Sequence, residues 1–441
     1  MKPPATEPAA SQFVEIGKPV YGGAFLARLE GKAVFVPLAL PGEQARVRIT
    51  QSKPGFSTAE IEEITTTAPE RVAPHCPHFG TCGGCHYQQT NYQTQLAFKK
   101  AILRETLERA GVEVSLPIDL LAAESPSQPW AYRNRIRLAF DAAGNPGYRA
   151  RGSHAVGPIT ECPIAAPLLV SAALAAAEAA QKLRPALRLS KISLFCDSAE
   201  SSLLASVFTS NAAKIRFDDF AQMLQAQIPA LAGAELVLEG RPPQPPRTVT
   251  QWGAPSLKYR AAGIDYRVDH GAFFQVNRWL VDPLVDKVTA GHQGALAWDL
   301  FAGVGLFARK LTAAFTRVVA VESAPSATRA LAENLKGARG IPVCAATLDF
   351  LSGNHKASRP DSAIPDFIVV DPPRTGLGPD VCARLNQIAA PALAYVSCDP
   401  ATLARDLRDL LAAGYQVQSI TLADLFPQTF HIETVVQLRR S

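Results

Sequence analysis

The stretch ALAWDLFAGVGLFARKL, residues 295–311, carries an apolar strand, a glycine loop and a helical pattern in immediate succession. Gly303-Val304-Gly305-Leu306-Phe307-Ala308 fits the G-x-G-x-x-G/A fingerprint, in which glycines let the backbone turn tightly and approach a nucleotide ligand. Glu322 closes the next apolar run, TRVVAVES, at the spacing expected of an acid that grips ribose hydroxyls. Two ligands compete for such a loop, a nicotinamide dinucleotide and S-adenosylmethionine. Asp299 favours the second. It ends the first strand, where its charge would repel a pyrophosphate and attract the ammonium group of methionine. From about residue 266 the chain alternates strand, loop and helix, the pattern of a parallel α/β sheet.

Two later strand ends carry chemistry. DFIVVDPPRTG, residues 366–376, ends a buried strand in Asp371-Pro372-Pro373-Arg374. An acid followed by two prolines is used by amino-methyltransferases, which add an aromatic residue where this chain has Arg374. ALAYVSCDPATLARDL, residues 392–407, places Cys398 on the loop between a strand and a helix, where open α/β sheets bind ligands. Carbon 5 of uracil is a poor nucleophile. A thiolate that adds to carbon 6 turns the ring into an enolate whose carbon 5 can attack a methyl sulfonium, after which a base must remove the carbon-5 proton. TFHIETVVQLRR, residues 429–440, offers Glu433 and His431 as that base.

Upstream, HCPHFGTCGGCHYQ sets Cys76, Cys82 and Cys85 at C-x5-C-x2-C spacing, with Cys162 in TECPIAAP as the candidate fourth ligand. Zinc completed by His78 or His86 is one reading. An iron–sulfur cluster is the other, favoured by three cysteines on one loop and by the Cys-Pro steps at 76–77 and 162–163. Cys196, Cys344 and Cys382 fall within strand or helix patterns and read as ordinary packed thiols. Residues 11–68 alternate short β-rich runs with glycine turns, as a small β-barrel does. NYQTQLAFKKAILRETLERAG brings Leu96, Leu103, Leu107 and Ala110 to one helical face. In YRNRIRL, Arg133, Arg135 and Arg137 would share one face of a strand and contact phosphates.

The chain has 441 residues, 47% of them hydrophobic, with a formal net charge of +5. The mild basicity permits a nucleic-acid partner. The N-terminus lacks the apolar core of a signal peptide, and no apolar run is long enough to span a membrane. Eight cysteines without a secretory signal argue for a reducing compartment, the cytoplasm.

Taken together, these motifs resemble the RNA uracil-5-methyltransferases, most closely the iron–sulfur enzymes that methylate 23S ribosomal RNA, over nearly the whole chain. The resemblance implies an α/β fold with an N-terminal β-barrel: a disordered tail (1–10), an OB-like TRAM barrel that binds RNA (11–69), an α+β central domain with an iron–sulfur cluster (70–265) and a Rossmann-like class I methyltransferase domain (266–441). It further implies that the helix near 92–112 packs on the catalytic domain. CPHFGTCGGC with Cys162 resembles the family's four-cysteine [4Fe-4S] site. GAFFQVN, residues 271–277, implies an S-adenosylmethionine contact for Gln275. The pattern implies further cofactor contacts at Asp299, Phe301, Gly303, Gly305, Glu322, Thr347 and Asp371. SCDP makes Cys398 the nucleophile, and HIETV makes Glu433 the base. The chain departs from its relatives at Leu306, where they carry Asn, and at Thr347, where they carry a polar amide. The implied activity is methyl transfer to carbon 5 of a uridine in RNA, performed by a monomer. Transfer RNA as substrate, amino-group methylation and a non-catalytic iron–sulfur RNA-binding protein are the alternatives.

Overall fold

The computed structural model describes residues 11–113, 115–125, 127–183, 187–210, 216–240, 244–353 and 364–440. The tail expected at residues 1–10 lies outside them. The chain forms two compact units. One comprises residues up to Glu105 with 149–154 and 426–431, and the other comprises 106–148, 155–425 and 432–441.

The first unit holds a closed barrel of five strands, Gln12–Pro19, Ala24–Leu29, Lys32–Pro37, Gln44–Ser52 and Phe56–Thr66, in which the third and fifth pair in parallel and close the ring. Alternation sends Val14, Ile16, Phe25, Ala27, Val34, Val36, Ala45 and Val47 inward. Closure leaves no free sheet edge. Phe25 meets Tyr87 of the cysteine loop at 6.1 Å and Phe98 of the helix Tyr92–Arg109 at 5.4 Å, both edge-on. Loop and helix thus complete the barrel core. The buried Glu43 carboxylate accepts from the Leu40 and Ala68 amides and pairs with Arg71 at 2.7 Å, fixing the path from barrel to cysteine loop.

The second unit holds two large sheets. In the seven-stranded sheet the strands Arg135–Phe140, Lys191–Cys196, Leu203–Thr209 and Leu231–Leu238 are successive neighbours. Helices Pro167–Lys182 and Phe217–Gln227 bury one face of it. Their contacts use alanines such as Ala172, Ala173 and Ala176, which let a helix lie close to the strands.

The eight-stranded sheet runs in the order Gly340–Cys344, Phe315–Glu322, Gly294–Leu300, Phe367–Val370, Ala392–Ser397, Glu433–Arg440, Tyr415–Ala423 and Ile118–Leu121. The first five are parallel, and Glu433–Arg440 is antiparallel to both of its neighbours. Phe367–Val370 is wholly apolar and buried, as a strand covered on both faces must be. Ile118–Leu121 adds the last strand from far upstream in the sequence. The strand order reverses at Gly294–Leu300, so the crevice between its carboxyl end and that of Phe367–Val370 is the topological switch point, where such sheets bind ligands. Among the described residues, no helix is long and apolar enough to cross a membrane.

Candidate active site

One wall of the crevice is built by the glycine loop. Gly303 and Gly305 both have positive φ, +56° and +90°. A Cβ at Gly305 would stand 2.6 Å from the Leu331 side chain, so only glycine lets the loop settle there. Phe301 also lies in the left-handed region, at φ +65°, a conformation that costs a side-chain-bearing residue about 1–3 kcal/mol. The Glu322 carboxylate accepts from the Gly303 amide at 2.9 Å and the Ala324 amide at 2.7 Å, which ties the loop to the neighbouring strand. Asp299 is fully buried. One of its oxygens accepts from the Ala308 amide at 2.7 Å, while Oδ1 has no hydrogen-bond partner among the described residues. Burial pushes its pKa up to about 8, aided by the charges of Asp371 and Glu322 and opposed by the Ala308 bond.

Across the switch point stands Asp371, one residue past its strand. Gln275 donates weakly to it, Nε2 to Oδ2 at 3.5 Å. Phe273, Gln275, Phe301, Gly303, Leu306 and Asp371 line a small cavity together. Leu306 gives this cavity an apolar wall. The main chain at Gln275 is held by Asn134, whose amide side chain donates to the Gln275 carbonyl at 2.8 Å and whose N–H donates to Val276 at 3.0 Å.

The next strand end carries Cys398. Ser397 pairs with Thr434 in the antiparallel register, which sets Cys398 beside Glu433 at the same edge of the sheet. Asp399 caps the helix Pro400–Ala412 by accepting from the Ala401 and Thr402 amides at 3.0 Å, with Pro400 in the first turn. The sequence therefore turns sharply from strand to helix and leaves the thiol on the loop. Cys398 is partly exposed and Glu433 is buried. Burial pushes the Cys398 thiol up to about 12, with the charges of Glu433 and Asp371 adding and Arg374 opposing. Burial likewise raises Glu433 well above the ordinary carboxyl range, reinforced by Asp371 and opposed by Arg374. Cysteine, two acids and an arginine thus act on one another electrostatically.

In the sequence Arg374 stands only where an aromatic is missing, yet its charge lowers the pKa of both Cys398 and Glu433. Its loop is held from the nucleophile's own helix. Thr402 donates to the Arg374 carbonyl at 3.2 Å and Arg405 to the Thr375 carbonyl at 2.8 Å. Buried Asp406 receives the Leu377 amide and the Tyr395 hydroxyl, both at 2.7 Å, and Arg405 at 2.9 Å. An acid on the apolar face of LARDLRDLLA was the signal that could have found this clamp.

Other expected residues stand apart from the cavity. Thr347 is buried at the start of the helix Thr347–Leu351 and is not among the cavity residues. Arg133 precedes the strand that carries Arg135 and Arg137. Arg135 lies over the Phe195 ring at 4.3 Å and Arg137 over Phe208 at 5.3 Å, so the pair is not a uniform solvated row.

Cys76, Cys82 and Cys85 belong to the first unit and Cys162 to the second. Among the described residues, no three His, Cys, Asp or Glu side chains converge closely enough to hold an ion as they stand. The loop nevertheless suits a cluster. The Gly84 amide points at the Cys82 sulfur at 3.4 Å, and Arg151, which donates to the Cys85 carbonyl at 2.8 Å, feels the charges of Cys82 and Cys85.

Comparison with known proteins now bears on this geometry. The family described as tRNA (Uracil-5-)-methyltransferase matches residues 359–441, the segment that carries Asp371, Cys398 and Glu433, and the TRAM domain matches residues 10–61. The 23S rRNA (uracil(1939)-C(5))-methyltransferase RlmD of Halomonas elongata is 31% identical over 95% of this chain and 87% of its own. The chain belongs to the RNA uracil-5-methyltransferase family. An uncharacterized RNA methyltransferase of Nitratidesulfovibrio vulgaris is also 31% identical, over 95% of this chain and 93% of its own. The Pyrococcus abyssi tRNA (uracil-54, C5)-methyltransferase, solved with S-adenosyl-L-homocysteine, shares the fold of this methyltransferase with a TM-score of 0.76 at 22% identity, over 97% of this chain and all of that one.

Proposed function

We propose that this methyltransferase transfers a methyl group from S-adenosylmethionine to carbon 5 of a uridine in 23S ribosomal RNA through a covalent adduct on Cys398. The observation that carries the reading is the pairing of Cys398 with Glu433 at adjacent strand ends beside Asp371. The donor is a co-substrate of the crevice. Asp299 Oδ1, buried without a partner, suits its ammonium group, Glu322 its ribose, and the loop at Phe301, Gly303 and Gly305 its adenosine. Gln275 and Asp371 would flank the reacting groups. Thr347, just past the third strand, would bound the adenine end.

The Cys398 sulfur adds to carbon 6 of the uracil, and the ring becomes an enolate. Carbon 5 takes the methyl group as the sulfonium–carbon bond breaks and S-adenosylhomocysteine leaves. Glu433, as carboxylate, then accepts the carbon-5 proton, and elimination returns the Cys398 thiolate and 5-methyluracil. Burial and the nearby acids hold the thiol protonated. The positive sulfonium and Arg374 supply the charge that favours the thiolate.

Cys76, Cys82, Cys85 and Cys162 would hold a [4Fe-4S] cluster, which would shape the RNA-binding surface, since methyl transfer needs no electron. Residues 11–69 would act as an RNA-binding barrel, 70–265 as the cluster-bearing domain and 266–441 as the catalytic domain. Arg133, Arg135 and Arg137 would contact RNA. The test is mass mapping of methylated uridines in total RNA with and without the protein. A single 23S position that loses its methyl group is the expected result. Loss confined to transfer RNA would overturn the substrate, and no change in any uridine would overturn the activity.

A further inference from the structure

Two side chains from outside the glycine loop hold it by its carbonyls. Asn334, on the helix Pro325–Leu335, donates through Nδ2 to the Val304 carbonyl at 2.8 Å and to the Arg267 carbonyl at 3.0 Å. Its Oδ1 accepts from the Arg267 amide at 2.7 Å. The Asn334 amide thus meets Arg267 as a neighbouring strand would, exchanging a donor for an acceptor. The residue before Arg267 is Tyr266, whose hydroxyl donates to the Leu306 carbonyl at 3.0 Å. Both side chains are buried. Between the two anchored carbonyls lies Gly305, packed against Leu331, one turn before Asn334 on the same helix.

Tyr266 and Arg267 belong to the strand Ile264–Asp269, one arm of a hairpin with Ser256–Ala261. The chain runs directly from that arm to Phe273, Phe274 and Gln275, which line the small cavity together with Val304 and Leu306. The Tyr266 ring lies 6.1 Å from the Phe274 ring. Tyr266 therefore touches both the glycine loop and the segment that carries Gln275, and Asn334 bonds to both the loop and the hairpin. The turn of the loop is shaped by Gly303 and Gly305 and tied down by Glu322 at the Gly303 amide. The bonds at Val304 and Leu306 add something else, a fixed spacing between the loop and the hairpin. A buried carbonyl deprived of its donor is costly, so a loop without these anchors leaves its register part of the time. Apparent ligand affinity then falls with the fraction of molecules that remain competent.

We infer that Asn334 and Tyr266 are positioning residues for the methyl donor, which set the glycine loop against residues 273–275 and so fix the width of the cavity between them. The inference rests on the proposed seat of the donor in the crevice. Two variants of the full chain test it. Tyr266→Phe keeps the ring and removes one hydroxyl. Asn334→Asp keeps the shape and the acceptor for the Arg267 amide, and turns a carboxylate oxygen on two carbonyls. Tyr415→Phe is the matched control, because buried Tyr415 also donates to a backbone carbonyl, that of Ala390 at 3.0 Å, and is not among the cavity residues.

Calorimetric affinity for S-adenosylhomocysteine should fall about fivefold in Tyr266→Phe and about tenfold or more in Asn334→Asp. The KM for the donor should rise by the same factors, with the lost rate recovered at saturating donor. A fixed donor concentration should raise the melting temperature of Tyr266→Phe less than that of the wild type, and that of Tyr415→Phe by as much. Tyr266→Phe, the milder change, decides alone where Asn334→Asp fails to fold. Destabilisation of Tyr266→Phe and Tyr415→Phe alike, with wild-type donor affinity in both, would overturn the inference and make the anchors packing bonds. A rate loss in Tyr266→Phe that saturating donor does not recover would overturn it in favour of a role in methyl transfer itself. If the wild type binds no S-adenosylhomocysteine, the proposed function fails. If it binds, and both variants bind equally well, only the positioning role fails.

Discussion

The two walls of the crevice are built on opposite electrostatic plans. On the glycine-loop side, Glu322 has both carboxylate oxygens engaged by backbone amides and its loop is fixed before any ligand arrives. On the nucleophile side, desolvation raises the pKa of both Asp371 and Glu433, the charge of Asp371 adding to the effect on Glu433, and the thiol of Cys398 beside them is held protonated. The first wall is preorganised by hydrogen bonds that cost nothing further on binding. The second becomes competent only when positive charge enters. The contrast explains why one wall is written as a compact local motif and the other as single residues on separate strand ends.

Substitutions on the second wall should have the largest effects. Cys398→Ala should bind RNA and donor and form no protein–RNA adduct. Glu433→Gln should form the adduct, transfer the methyl group and stall, slowed by a factor of about 100 to 10,000. An adduct that survives denaturing electrophoresis is therefore expected with Glu433→Gln alone. Normal turnover by Glu433→Gln would move the base elsewhere, with His431 the next residue to test. Methylation by Cys398→Ala would end the covalent mechanism and return the Asp371-Pro372-Pro373 segment to an amine-directed role.

A smaller effect probes the wall without substrate. A thiol with its pKa pushed to about 12 is almost wholly protonated at pH 8. Iodoacetamide at that pH should modify Cys398 at least about tenfold more slowly than the exposed Cys344. Mass spectrometry of the two peptides reads the ratio. Equal rates would mean that the protein activates the thiol without RNA or donor, and the contrast between the walls would fall.

The smallest effect belongs to the first wall. Glu322→Gln keeps the shape and turns one acceptor into a donor facing a backbone amide, a loss of about 1–2 kcal/mol. Donor affinity should drop roughly tenfold, with the methyl-transfer rate at saturating donor unchanged. A fall in that rate instead would show that Glu322 acts on the chemistry and not only on the loop.

Much of this architecture was legible because it is local. The glycine loop, the strand–helix alternation and the alternating strands of the barrel each declare themselves within a few residues, and the capped turn at Asp399-Pro400 exposes its thiol by sequence alone. What depends on partners far along the chain was not. Ile118–Leu121 has too little pattern to announce that it joins the catalytic sheet beside Tyr415–Ala423. The period of two placed Arg135 and Arg137 on one face of a strand, but depth below the surface is set by the neighbouring strand that brings Phe195, and no spacing reports it. The protonated state of Cys398 arises from burial and from two acids on other strand ends, Glu433 and Asp371. Asp406 reads as an ordinary helix acid until Leu377 and Tyr395 are seen to donate to it.

The unpartnered oxygen of Asp299 has a consequence in protons. A carboxyl whose pKa rises on folding from 3.8 to about 8 favours the fold fully below about pH 4 and withdraws that support as pH climbs through 8. Asp371 and Glu433 are displaced in the same direction. The crevice is thus a proton store that loosens the protein as the solution turns alkaline. A donor bearing an ammonium and a sulfonium should displace those protons, and its binding in weakly buffered solution should then acidify the medium. The same rise in pH that weakens the fold should strengthen its hold on the donor, as donor titrations at pH 6 and pH 9 would read.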